Sequence, residues 1–248
     1  MRLGLIADIH GNLLALDVVL QALAEEQVDS IICLGDISSL GPQPREVIDR
    51  LRQIQCPVIL GNTDDWLLEP PAVTQTTPED GRILREINRW CAEQLEAEDR
   101  AYLQSLPPTY ACALDEENTL VCFHGSPRSF DDVIAAVTPD AVVEEMLAGV
   151  SARILVGGHT HIQMIRRYEA SWIVNVGSVG LPGVNAGSPE LPKNRQVRWA
   201  EYGVVSSERQ QVSLELRRTP IDVAALLQAA CRSGMPHFDW WVQLWKTS

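Results

Sequence analysis

Hydrophobic and polar positions follow two different periods in the first part of the chain. Arg2 to Ala7 is a short apolar run that stops at Asp8, and Leu13, Leu16, Val19, Leu20 and Leu23 then recur at helical spacing. This predicts strand, loop, helix. Ile31 to Leu34 reads as a second strand ending at Gly35-Asp36. Pro44 suits the first position of a helix that carries Val47, Ile48, Leu51 and Ile54 on one face and delivers the chain to a third strand at Val58 to Leu60. Three βα units in succession predict a mostly parallel sheet.

Beyond Gly61 the period becomes helical. Thr77-Pro78-Glu79-Asp80 reads as an N-cap with Pro at the first helical position and acids in the first turn, followed by Ile83, Ile87, Trp90 and Leu95. The segment 64–105 is therefore expected to form a helical, cap-like cover. Thr109 to Leu114 and Thr119 to His124 flank the polar turn Asp115-Glu116-Glu117-Asn118 and predict a hairpin. Thr138-Pro139 opens a helix with Val142, Val143, Met146 and Leu147, and Ile154 to Val156 is a buried strand ending at Gly157-Gly158-His159. Strands near 162–168, 171–176, 198–206 and 210–218 precede a helix over Ile221 to Cys231. The segment 181–197, with Pro182, Gly183, Gly187, Pro189 and Pro192, reads as a surface loop. In the tail, 233–248, Phe238, Trp240, Trp241, Leu244 and Trp245 fall on one helical stripe. That stripe predicts burial against the domain or, alternatively, a homodimer contact.

Composition narrows the class. The chain has 248 residues, 46% hydrophobic and 21% charged, which suits one α/β domain over 1–248 with a single large core. Twenty Lys+Arg against 33 Asp+Glu give a net charge of −13, which disfavours long nucleic acids but not small phosphorylated substrates. No apolar run approaches the roughly 20 residues of a spanning helix. Met1 to Ala7 is too short for a signal peptide and stops at Asp8, so no membrane association and a cytoplasmic location are expected. The six cysteines form no C-x-x-C pair and sit mostly in apolar contexts such as Ile31-Ile32-Cys33-Leu34, as buried reduced thiols do.

Polar clusters follow the apolar strands: Asp8-Ile9-His10, Gly35-Asp36, Gly61-Asn62-Thr63-Asp64, His124-Gly125 and Gly158-His159-Thr160-His161. In a parallel α/β sheet, loops beyond the strand C-termini share one edge, so distant clusters can converge there. Imidazole, carboxylate and amide oxygen donors suit manganese, iron, zinc or nickel. Any one of these residues alone is as well explained as a cap or a hydrogen-bonded loop residue. The five clusters together are not.

The ordered set D-x-H, G-D, G-N-x-D, H-G and G-H-x-H resembles that of the calcineurin-like metallophosphoesterases, over Leu3 to about Leu216. Gly41-Pro42-Gln43-Pro44, His124-Gly125-Ser126-Pro127 and Asn175-Val176-Gly177-Ser178 look most similar to the bacterial and archaeal small-phosphoesterase branch, which includes dinucleoside-tetraphosphatase-like proteins. The resemblance implies an α/β, four-layer α-β-β-α sandwich with two mixed sheets. It also implies two divalent transition-metal ions, manganese first, with iron, zinc or nickel as alternatives. One ion would be held by Asp8, His10, Asp36 and His161, and the other by Asp36, Asn62, His124 and His159, with Asp36 bridging. Asp36, Asn62 and His124 would carry the catalytic role, in which a hydroxide shared by the ions attacks phosphorus in line.

The chain departs from the pattern at Thr63, where relatives have His in G-N-H-D or G-N-H-E. A threonine hydroxyl cannot act as a proton donor to a leaving group near pH 7. This predicts a preference for phosphodiesters, phosphoanhydrides or activated aryl esters over alkyl monoesters, unless His237 or a group from a second subunit supplies the acid. Asp64, Arg128 and Asn175 are candidates for supporting or substrate-facing roles beside Thr63, each weighed against an ordinary cap or loop role. Val176 stands where many relatives have Pro, and the 181–197 loop replaces a shorter continuation. A phosphoprotein phosphatase and a weakly active metal-binding scaffold or interaction protein are the competing readings, and a small phosphorylated or nucleotide-like compound is the expected substrate.

Overall fold

The first two apolar runs become adjacent parallel strands, β1 (Arg2–Ile6) and β2 (Ser30–Cys33), joined through helix α1 (Leu13–Glu25). The computed structural model describes residues 1–72, 78–183 and 196–245. Asn12 starts α1 by accepting a 3.0 Å hydrogen bond from Ala15 N on its side-chain oxygen. Helix α2 (Pro44–Ile54) begins at the predicted proline and ends on Gln55 in the left-handed region. The helical cover consists of α3 (Asn62–Leu68), α4 (Glu79–Gln94) and α5 (Ala97–Ser105).

The hairpin β3 (Thr109–Ala113) and β4 (Thr119–Phe123) leads to α6 (Asp140–Leu147) and β5 (Ile154–Gly157). Strands β6 (Met164–Tyr168), β7 (Ser171–Asn175), β8 (Trp199–Glu208) and β9 (Gln211–Pro220) follow, then α7 (Val223–Ser233) and α8 (Phe238–Leu244). One sheet runs β2-β1-β8-β9 and the other β3-β4-β5-β7-β6. Both are mixed. In the first only β1 and β2 are parallel, and in the second β4, β5 and β7 are parallel between antiparallel edge strands.

Alternation along β1 assigns the layers. Leu3, Leu5 and Ala7 face Leu120, Cys122, Ile154 and Val156 of the other sheet, whereas Ile6 joins Leu16, Val19 and Leu23 in the core beneath the helices. On the far side, Phe123, Leu155 and Ile173 pack on Val143 and Leu147 of α6. The result is helices, two sheets and a further helix, the four-layer sandwich expected from the sequence.

Two sequence-based expectations need correction. The mostly parallel sheet does not form, because Val58 to Leu60 contributes only a bridge between Cys33 and Val58, and the next partner of β1 is the antiparallel β8. The βα rhythm therefore describes one edge of the sheet, while its other half comes from the far end of the chain. Pro78 also stands one position earlier than expected, at the cap and not in the first turn, and Pro139 takes the same place before α6. Pro78 and Pro139 have ψ of 156° and 143°, so they cap extended backbone ahead of α4 and α6. Thr138 Oγ1 accepts from Ala135 N at 2.9 Å, behind the helix, and Thr77 lies outside the described residues.

Of the 181–197 loop, 184–195 lie outside the described residues, and its ends are joined by a Gly183–Gln196 bridge. Cys33, Cys91 and Cys122 are buried free thiols and Cys56 and Cys112 are half-buried, but Cys231 is exposed, contrary to the general expectation of burial. Its helix turns it outward.

The aromatic stripe packs on the chain's own core. Trp241 and Trp245 are 1% and 2% exposed, their rings stand 5.7 Å apart, and Trp241 Nε1 donates to Leu40 O at 3.1 Å. Leu40 lies in the loop that follows Asp36, so the tail braces a loop of the polar edge. Trp241→Ala is expected to destabilise the fold by about 3–5 kcal/mol, the usual cost of emptying a site this size, read as a lower urea midpoint with unchanged slope.

Candidate metal centre

The five polar clusters meet where the two sheets abut. The loops after β1 and β2 are zipped together by Asp8 N donating to Gly35 O at 3.0 Å, His10 N to Asp36 O at 2.9 Å and Gly11 N to Ile37 O at 2.9 Å. Gly158 N donates to His124 O at 3.0 Å and joins the loops after β4 and β5. Between the sheets, His159 N donates to Asp8 Oδ2 at 2.9 Å, and Val179 N and Gly180 N donate to the carbonyls of Ala7 and Asp8.

Backbone conformation aims the side chains. Asp8, His10, Asp36, His159 and His161 all have positive φ, from 48° to 68°, a region that non-glycine residues visit rarely. Such conformations cost on the order of 1–3 kcal/mol each and persist only where surrounding bonds over-determine them. The motif glycines answer a different need, close approach. A Cβ on Gly61 would lie 2.1 Å from Asp36 Oδ1, and one on Gly158 would lie 2.7 Å from Asp8 Oδ2.

All seven predicted ligands are brought together. His10 Nε2 lies 2.9 Å from His161 Nε2 and 3.7 Å from Asp36 Oδ2, and His161 Nε2 lies 3.3 Å from Asp8 Oδ1. Across the centre, His124 Nε2 lies 3.4 Å from Asp36 Oδ2 and 3.0 Å from Asn62 Oδ1, which His159 Nδ1 approaches to 3.1 Å. Two groups of acceptors satisfy the spacing for an ion among the described residues: Asp8, His10 and His161, and Asp8, Asp36 and His124. Both carboxylates are thus central, Asp8 shared between the two groups and Asp36 between His10 and His124.

The donors fit divalent ions. His124 Nδ1 lies 2.7 Å from Leu34 O and His161 Nδ1 lies 2.7 Å from Leu181 O. A carbonyl only accepts, so each Nδ1 carries a proton and a neutral ring turns the lone pair of Nε2 toward the carboxylates. Asp8 Oδ1 is buried and makes no hydrogen bond. Lone pair faces lone pair throughout the centre, an arrangement that needs positive charge between the groups.

Without ions that charge comes from protons. Burial by itself would lower the His124 pKa, but Asp36 and Asp8 push it up to about 10. His161 is raised in the same sense, its burial outweighed by Asp8. Burial and the neighbouring His161 press His10 down to about 4, and burial with His124 also lowers His159. Burial would raise both carboxylates, yet His161 holds Asp8 and His124 holds Asp36 below the usual range.

The remaining predicted residues surround the ligands. Thr63 N donates to Asp36 Oδ1 at 2.9 Å, while its buried hydroxyl accepts from Ser39 Oγ, which in turn lies 3.3 Å from His10 Nδ1. Asp64 is fully buried: Oδ1 accepts from Ile37 N at 2.9 Å and Ser38 N at 3.2 Å, and Oδ2 from Gly61 N at 3.3 Å. Burial and nearby Asp36 raise its pKa to about 7. Asn175 donates to Gly158 O and to Thr160 Oγ1, and accepts from Gly177 N, which shapes the loop carrying His159 and His161. Arg128 is spent on Asp132 at 2.8 Å, and His237 on Glu86 at 2.6 Å. Sequence reasoning missed Ser39, Ser178 and the carbonyls of Leu34 and Leu181; Ser178 Oγ donates to Asp8 O at 2.7 Å. Ser178 lies in the quoted Asn175-Val176-Gly177-Ser178 stretch, but nothing in the local sequence of Ser39 distinguishes such a role.

Two outcomes follow from this geometry. Chain supplied with manganese and then desalted is expected to retain about two ions as measured by plasma mass spectrometry, to lose thermal stability on chelation, and to retain fewer ions as the Asp36→Ala variant. Asp64→Ala strands three buried backbone donors and is expected to cost about 2–4 kcal/mol in urea unfolding, whereas Asp64→Asn, which keeps one acceptor oxygen, costs less.

The model of the calcineurin-like phosphoesterase superfamily domain matches residues 1–196. A metallophosphoesterase from Sphaerobacter thermophilus is 27% identical, with a TM-score of 0.70 over 96% of this chain and 95% of that one. A hypothetical protein from Pyrococcus horikoshii, 21% identical, has the same fold, with a TM-score of 0.79 over 100% and 98% of the two chains. An uncharacterized protein of Methanocaldococcus jannaschii is 23% identical over 245 residues, 95% of this chain and 94% of its own. With the motif order, the sandwich and the ligand cluster in agreement, the chain belongs to the calcineurin-like phosphoesterase superfamily.

Proposed function

We propose that the chain is a hydrolase that cleaves a phosphodiester, phosphoanhydride or activated phosphate ester. The observation that carries this reading is the buried, unpartnered Asp8 Oδ1 at the focus of His10, His124 and His161. Two divalent ions held there would supply an activated water and positive charge for phosphoryl oxygens. The residues' share is to hold that pair: Asp36 between His10 and His124, Asn62 Oδ1 between His124 and His159, and the strained loops that keep both in place.

Substrate preference turns on Thr63. Its hydroxyl is engaged by Ser39, and His237 is paired with Glu86, so neither is disposed to protonate a leaving group. A leaving group that departs without a proton is then favoured, which disfavours serine phosphate and the phosphoprotein phosphatase reading. Manganese is the ion to supply first, and the small-phosphoesterase branch, with its dinucleoside-tetraphosphatase-like members, is the assignment that the motif set supports within the superfamily. Free thiols at Cys33, Cys91 and Cys122 suit a reducing, cytoplasmic setting, and no helix among the described residues is long and apolar enough to cross a membrane. A homodimer through the tail would have to use the half-buried Phe238, Trp240 and Leu244, since Trp241 and Trp245 are consumed inside the chain.

With manganese supplied, bis(p-nitrophenyl) phosphate is expected to turn over faster than p-nitrophenyl phosphate, and Asp36→Asn to abolish both. Thr63→His is expected to raise monoester turnover relative to diester by about a hundredfold, the lower end of what a positioned acid contributes. Absence of any Asp36-dependent turnover would favour the scaffold reading.

A further inference from the structure

Beside the metal ligands lies a pocket of about 380 Å³ whose wall is apolar. Residues Val133, Ile134, Ala135 and Ala136 form one side, and Ile162 and Met164 form another. His159 belongs to both places: its ring lines the pocket while its Nδ1 lies 3.1 Å from Asn62 Oδ1. A group bound to phosphorus at the centre therefore has the pocket as an adjoining space.

The amide of the wall is spent inside the protein, and the wall's one hydroxyl oxygen is also engaged. Gln163 Nε2 donates to the carbonyls of Val176, Tyr202 and Arg217, and its Oε1 accepts from Arg218. Thr160 Oγ1 accepts from Asn175 Nδ2 at 3.0 Å. Among the described residues, no lysine, arginine or acidic residue lines the pocket. The nearby guanidinium of Arg166 is bonded to Ala135 O at 3.0 Å and paired with Asp140, and Arg128 is paired with Asp132. A second phosphate entering here would leave its charge uncompensated, whereas an uncharged apolar group would only displace water.

We infer that this pocket is the specificity site of the enzyme and takes an uncharged, apolar ester substituent of aromatic-ring size, so that the substrate class is an aryl or similarly apolar phosphoester, not a nucleoside polyphosphate. The inference rests on the phosphoesterase reading and deepens it. Small alanines at 135 and 136 leave the room, and Met164 supplies an adaptable floor that suits a flat ring.

The test compares phenylphosphonate with methylphosphonate, two non-hydrolysable ligands that share the phosphoryl head, binding to the manganese-loaded chain in titration calorimetry. Phenylphosphonate is expected to bind at least about tenfold more tightly, in line with what an apolar pocket distinguishes, and to shift the Met164 methyl resonance where methylphosphonate does not. Ala136→Trp, at an exposed rim position, fills the pocket, and Val133→Asp, also exposed, charges it; either is expected to bring the ratio of affinities close to one, with the fold checked by circular dichroism. Equal affinity in the unaltered chain, or a ratio that neither variant changes, overturns the inference while leaving the phosphoesterase reading intact. So does a doubled mass in sedimentation that Val133→Asp abolishes, which would make the apolar wall a contact between copies. Failure of both phosphonates to bind the loaded chain overturns the phosphoesterase reading and this inference with it.

Discussion

Two carboxylates with no access to solvent stand among four imidazoles, and the rest of the polar edge is arranged around the charge this leaves. Asp8 is fully buried and Asp36 only 2% exposed. An isolated carboxylate in that position would be neutralised or driven to the surface, because removing an ion from water costs several kcal/mol unless opposite charge replaces the lost hydration. The imidazoles meet that need in either of two states, as imidazolium rings or as neutral ligands around a cation. Carbonyls of Leu34 and Leu181 fix which nitrogen of His124 and His161 points inward. The centre is therefore oriented for a cation before one arrives.

Such orientation must be held by something stiffer than loops. Five of the ligand residues sit at positive φ, and hydrogen bonds between successive strand-end loops keep them there. Asp64 reinforces the zipper from inside by gathering the amides of Ile37, Ser38 and Gly61 around one carboxyl. Trp241 reinforces it from outside through Leu40 O. The tail, the farthest part of the chain in sequence, thus packs against the loop that presents Asp36. Stability stored in the three cores offsets the local strain at the edge, the usual relation between a scaffold and its site.

Thr63 stands where the resembled motif has His, and it is tied into the ligand shell without disturbing the architecture. Its backbone amide still donates to Asp36, as the helix start requires, and its hydroxyl joins Ser39 in a short chain leading to His10. Under the proposed function, the position supports the ligand shell in place of donating a proton. An apolar pocket next to His159 is consistent with the same direction of specialisation, since a stable aryl oxide can leave without protonation.

Local periodicity determined most of the strands and helices, and the resemblance carried by the motif order implied that Asp8, His10, Asp36, Asn62, His124, His159 and His161 belong together and that Thr63 departs from the pattern. These are properties of short stretches, where spacing fixes which face a side chain takes and residue type fixes what it can donate. Tertiary structure alone decided that β8 closes against β1, that Val58 to Leu60 contributes only a bridge, and that Ser39, Ser178 and two carbonyls orient the ligands. It alone also decided that the aromatic stripe is spent within the chain, and that Arg128 pairs with Asp132. Each of those outcomes depends on which distant surfaces meet. Positive φ at the ligands belongs to the same class, because Asp and His visit that region rarely unless hydrogen bonds from other loops hold them there.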